Sequence, residues 1–258
     1  MLNYLRAEFY KVFHRKYPYV CMLLLLACAA AMVAGWTYTN SNGNTVDFYT
    51  GGSTAVLMLS LGLYIVVLIG DMVFSDQYKH NTLKNEVSYG IPRTRIYLGK
   101  LLVEAVIGVV MAVLLVGFYE LLCCLFLLPS EPEQTRIAWL IIGYCLLNAL
   151  PQWLGVLAMT NLCYFLIRSN VAASFAVVGI LAVPQMVISL LKAFTSFNEE
   201  AYYVFSLLES RLPQVIVENA PSVVGDWSYL AQSWILGVVW IAVSTAIGLA
   251  VFRKKEIN

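Results

Sequence analysis

Charge is scarce in this sequence: of 258 residues, 12% are Asp, Glu, Lys or Arg, while 60% are hydrophobic. Soluble globular domains carry about 25% charged residues, so that class is excluded. Histidine occurs only as His14 and His80, and none of the six cysteines (Cys21, Cys28, Cys123, Cys124, Cys145, Cys163) forms a Cys-x-x-Cys pair. A zinc site and a disulfide framework are therefore not expected, and cysteines inside apolar runs behave as small hydrophobic residues. No Gly-x-x-x-x-Gly-Lys-Ser/Thr loop is present; the one Gly-Lys pair, Gly99-Lys100, continues into Leu101. Without that phosphate cradle the chain is not expected to hydrolyse ATP. Intramembrane proteolysis is disfavoured too, because Glu199-Glu200 has no histidine on a membrane helix to work with.

What is present is hydrophobic runs long enough to cross a bilayer at about 20 residues each. The sequence predicts an all-α membrane protein with one transmembrane domain, 1–258. Its spans are expected at about 17–36, 53–74, 97–128, 137–167, 171–191 and 230–252. Pro151 is expected to kink span four, and Pro184 lies inside span five. Ahead of the first span, residues 1–16 place Leu2, Leu5, Phe9, Val12 and Phe13 on one helical face and Arg6, Lys11, Arg15 and Lys16 on the other, a pattern for a helix lying in the interface. Since the chain keeps Met1, this reading is preferred to the leading part of a cleaved signal peptide. The stretch 192–229 is read as external, with EEAYYVFSLLESRLP a helix that opens on acids and stops at Pro213. Val204, Phe205, Leu208 and Leu212 give that helix an apolar stripe suited to the outer membrane face. Trp36, Tyr38, Trp139, Trp227, Tyr229 and Trp234 are expected as interface anchors.

One long polar interruption breaks the apolar first half, Asp71 to Lys100, with loop residues 75–96 at its centre. It holds Lys79, Lys84, Arg93, Arg95 and Lys100 against Asp71, Asp76 and Glu86. Basic loops between spans stay on the cytoplasmic side. Arg6, Lys11, Arg15, Lys16, Arg168, Arg253, Lys254 and Lys255 fall on that same side, against Arg136, Lys192 and Arg211 outside. Both termini are thus expected in the cytoplasm. Within the loop, Asn81 to Tyr89 is a short helix candidate in which Leu83 and Val87 share a face while Lys84 and Glu86 point elsewhere. Gly90 and Pro92 end it.

The run Asp76 to Leu83, continuing through Ser88, Tyr89, Gly90, Arg93, Tyr97, Gly99, Lys100 and Leu101, resembles the first cytoplasmic loop of membrane subunits of ATP-binding-cassette exporters of the type-2 permease class. Members show an acid, a Gly-Thr-Leu, a short helix, then an Arg and a Gly-Lys-Leu. Here Asn81 replaces the Gly and Asp76 the Glu, so the match is good at the end of the loop and looser at its start. The resemblance implies a coupling helix docking on a separate ATPase through Asn81, Thr82, Leu83, Lys84, Asn85, Glu86, Val87, Tyr89 and Arg93. It also implies two copies of this chain, expected as a homodimer in the bilayer, over two ATPase subunits. ATP and magnesium would sit in those partners, with no cofactor on this chain and no nucleic acid. Small bacterial permeases of this plan resemble exporters of amphipathic or antimicrobial peptides. A cavity lined by spans one, two and five would suit such cargo. Export of small drugs or ions, and a non-transporting immunity or regulatory protein in the membrane, are the alternatives.

Ionisable groups inside spans mark candidate function. Glu104 lies one turn beyond Lys100, where an i,i+4 ion pair is expected. Glu120 lies about 12 Å from the outer end of span three, at about 1.5 Å per residue. It is expected to bond to Asn148 or Gln152 of span four, to face a substrate path with them, or to be protonated and inert.

Overall fold

The computed structural model of the chain describes residues 2–74, 82–195 and 197–254. Asp76, Lys79, His80, Asn81 and Lys255, all part of the expectations above, lie outside them. The described residues are almost wholly helical, because long runs of Leu, Val, Ile and Ala must satisfy every backbone polar group internally once in lipid. In chain order the helices are α1 (Leu2–Phe13), α2 (Tyr17–Ser41), α3 (Phe48–Leu57), α4 (Gly62–Phe74), α5 (Thr82–Ser88), α6 (Arg93–Phe126), α7 (Pro132–Leu166), α8 (Asn170–Phe194), α9 (Glu199–Glu209), α10 (Pro213–Asn219) and α11 (Trp227–Lys254). Six stretches are long and apolar enough to cross a membrane: α2, residues 48–74, α6, α7, α8 and α11.

Span two is not one helix. A 3₁₀ turn at Leu59–Leu61 separates α3 from α4, and the indole of Trp153 donates to the Leu59 carbonyl at 3.1 Å, satisfying a backbone acceptor that the break exposes. Proline does not interrupt span four: α7 runs unbroken through Pro151. α7 is the central post, with about three-fifths of its most apolar window buried, whereas α2, α6 and α8 bury about a sixth. It packs most extensively on α11. There Gly155 faces Trp240 and Gly237 faces the Pro151 backbone, the close approach that small residues permit between membrane helices.

Two ends can be told apart by charge. At the basic end lie α1, α5, the start of α6 and the last turn of α11. Five aromatic rings, Phe74, Tyr97, Tyr164, Phe165 and Phe252, pack there at centroid separations of 4.5–5.2 Å and join α4, α6, α7 and α11. At the acidic end, Asp47 caps α3 by accepting from the Thr50 amide at 3.0 Å. Its other oxygen accepts from the Ser130 hydroxyl at 2.7 Å. The Phe48 amide donates to the Leu128 carbonyl at 2.8 Å, and together these bonds tie two turns to each other. Partial burial would raise the Asp47 carboxyl, but the hydrogen bonds from Thr50 and Ser130 hold it below its ordinary value.

Within the stretch 192–229 the two helices differ in burial. α9 buries none of its residues, and Val204 and Leu208 of the expected stripe are exposed. α10 instead turns inward, burying Pro213, Gln214, Ile216 and Val217, and Gln214 donates to the Tyr64 hydroxyl beside the break in span two.

Candidate functional site

The basic end gathers most of the residues singled out above. α5 spans Thr82–Ser88, and Pro92 stands just before α6. Between them Gly90 sits at φ 79°, a left-handed turn open to glycine. Leu83 is buried in the core and Val87 packs against it. The apolar face of α5 is therefore turned onto this chain and is not offered to a partner, which corrects the expectation that Leu83 and Val87 would grip one. The exposed face consists of Lys84, Asn85, Ser88 and, just beyond the helix, Tyr89 at 86% exposure. Glu86, also expected on the docking surface, is buried.

Glu86 belongs to an ionic cluster that joins three helices. Its carboxylate accepts from Lys11 Nζ at 2.8 Å and from the Tyr4 hydroxyl at 3.1 Å, both on α1. Lys11 also pairs with Glu8 at 2.5 Å, and the other Glu8 oxygen accepts from Lys100 Nζ of α6 at 2.8 Å. Two carboxylates and two ammonium groups thus form a neutral set, in which Glu8 and Lys100 are almost fully buried. Burial would raise Glu8, but Lys100 and Lys11 outweigh it and hold the carboxyl below its ordinary range. Burial would likewise lower Lys11, but Glu8 and Glu86 outweigh that and raise it. Burial, reinforced by both carboxylates, raises the Tyr4 hydroxyl, which stays a donor.

The Gly-Lys pair at the start of α6 acquires a physical role here. A Cβ at Gly99 would lie 2.6 Å from the Tyr4 ring, so glycine lets α1 lie flat on α6, and the adjacent lysine reaches Glu8. This replaces the expected Lys100–Glu104 pair. Both Glu104 oxygens lack a hydrogen-bond partner among the described residues. Tyr4 and Glu8 were missed in the sequence. The available signal was that Glu8 falls between Leu5 and Val12 on the apolar face of an otherwise basic helix.

Arg93 is also engaged within the chain. Its guanidinium donates at 2.8 Å to the carbonyls of Phe252 and Arg253, closing the last turn of α11. The same group lies over the Phe252 ring, 5.8 Å from its centroid. A scan against family models matches residues 4–185 to the family described as ABC-2 family transporter protein. The match spans most of α1, the ionic cluster, α5, the first four spans and most of the fifth. The chain belongs to the ABC-2 transporter family. The ABC-2 permease is the membrane component of such a transporter and not its ATPase, its partner is an ABC ATPase subunit, and it is a multi-pass membrane protein. A search of curated proteins found no match.

No hydrogen bond joins Glu120, Asn148 and Gln152 of the permease to one another among the described residues. Gln152 donates to the Ser233 carbonyl at 2.7 Å, so its side chain serves the seam with α11. The Ser233 hydroxyl donates to the main-chain carbonyl of Asn148 at 2.9 Å, while the buried Asn148 side-chain amide has no hydrogen-bond partner among the described residues. Glu120 lies under α3, where a Cβ at Gly52 would come within 2.9 Å of its carboxylate, and its oxygens have no partner among the described residues. Nor does span five line the cavity bounded by α2, residues 55–69, α6 and α7. α8 packs instead on α7, α9 and α4.

Proposed function

We propose that this permease exports amphipathic, antimicrobial-peptide-like cargo as a homodimer driven by two copies of its ATPase partner, with α5 as the element that receives the stroke. The observation that carries the reading is the way α5 is held: Leu83 anchors it in the core, Glu86 ties it to α1, and Lys84, Asn85, Ser88 and Tyr89 remain open to a partner. A push on that exposed face reaches α1 through Lys11 and α6 through Glu8 and Lys100 as one rigid unit. Both termini and α5 then lie in the cytoplasm, where ATP is. The scarcity of charge along the spans supports an amphipathic cargo over a strongly charged one.

The test uses the exposed face. Tyr89→Asp combined with Lys84→Glu is expected to abolish co-purification of the ATPase with the tagged permease while leaving its melting temperature nearly unchanged, since exposed substitutions shift stability by about 0.5 kcal/mol or less. An intact complex with unaltered ATP turnover would remove α5 as the docking element. With the wild-type pair in liposomes, a cationic amphipathic peptide is expected to stimulate ATP turnover more than small drugs do; the reverse order would reassign the cargo.

A further inference from the structure

A cavity of about 240 Å³ lies at mid-depth of the bundle, between the middles of α2, α6 and α7 and the break in span two. Its lining is apolar throughout, apart from Tyr119, whose hydroxyl already donates to the Gly51 carbonyl at 2.8 Å. The cavity is built by specific features. The 3₁₀ turn at Leu59–Leu61 shapes one wall, and Trp153 closes the floor by bonding to Leu59. Gly62 makes room for the indole, since a Cβ there would sit 2.6 Å from its nitrogen. α2 leans on α6 and only marginally on any other helix, so the space is open sideways between α2 and α4, where Cys28, Met58 and Leu61 are exposed.

We infer that this cavity is a binding site for a single hydrocarbon chain of a membrane lipid. At mid-depth the surroundings are the acyl layer of the bilayer, about 30 Å thick, and water has no polar partner inside. An apolar cavity of about 150 Å³ already takes benzene, so this one accommodates a longer alkyl segment. An empty space would forfeit the dispersion contacts of its walls, and a helix, at about 10–12 Å across, is too wide to enter. Met32, Met58 and Met111 add thioether side chains that adapt to a flexible chain. The inference rests on the bilayer placement of the spans and not on ATPase docking or cargo.

The test is photolabelling of the full-length permease in nanodiscs containing phosphatidylcholine with a mid-chain diazirine, followed by peptide mapping. Adducts are expected on Met111 and on Leu157, both in the cavity lining, Leu157 being shielded from the outer surface of the bundle at 1% exposure. Ala112→Phe, which fills the space, is expected to remove those adducts, while Val113 and Leu114, exposed on the outer surface of α6, keep theirs. Should Ala112→Phe fail to fold, Ala55→Leu from the opposite wall is expected to give the same loss. Absence of adducts on Leu157 and Met111 in the wild type, as a second copy of the chain capping the opening would produce, overturns the inference. So does labelling that persists in a folded cavity-filled variant.

Discussion

Glu8 and Lys100 show at single-residue scale how a membrane protein holds charge in its interior. Separately, each would be an uncompensated buried ion; together, at 2.8 Å and with Lys11 and Glu86 beside them, they form a neutral set. Removing one partner of a buried pair costs about 3–5 kcal/mol, whereas replacing both by apolar groups is often neutral. Lys100→Met is therefore expected to lower the melting temperature sharply, and adding Glu8→Leu to restore most of it, as read by scanning fluorimetry in detergent. The same pair sets a pH dependence. A carboxyl held below its unfolded value stabilises the fold above that unfolded value, about 4.3 for Glu, and the contribution is lost as pH falls through the lower folded value. The wild type is expected to lose stability on acidification below that range, and Glu8→Gln to show a flatter profile. Glu104 and Glu120, which have no partner among the described residues, give no such support.

Close approach at glycine holds the most extensive helix pair of the bundle. The seam between α7 and α11 depends on Gly237, where an added Cβ would lie 2.6 Å from the Pro151 carbonyl oxygen, a backbone atom that cannot rotate away. Gly237→Ala is expected to destabilise the fold by about 1–3 kcal/mol, the usual cost of overpacking, measurable as a lower denaturation midpoint. Gly143→Ala, on the same α7 but with open space around it, serves as the neutral control. α5 illustrates a different balance. At seven residues it is too short to be stable alone, so its position is set by Leu83 in the core and by Glu86 on α1.

Across the whole molecule, bases predominate at one end and acids at the other, and by the positive-inside rule the basic end is expected in the cytoplasm. A Ser88→Cys variant is expected to react with a membrane-impermeant maleimide only in inverted vesicles, and an Asp226→Cys variant only from the opposite side; the reverse pattern would invert the topology. Helical class, membrane placement and the family loop were legible in the chain alone, because hydrophobic run length and the Gly-Lys-Leu motif are local properties. The acidic start of α9 and the stop after α5 at Gly90 were legible for the same reason. Tertiary structure alone decided which face of α5 is free, because Leu83 and Val87 share a face in any helix and only their neighbours show whether it is covered. It also decided that Lys100 pairs with Glu8 of α1 instead of Glu104 one turn away, that span two breaks at Leu59–Leu61, and that the Gln152 side chain bonds to α11 instead of Glu120. Each of these depends on contacts between residues far apart in the chain, and helical periodicity fixes direction around an axis but not the neighbour found there.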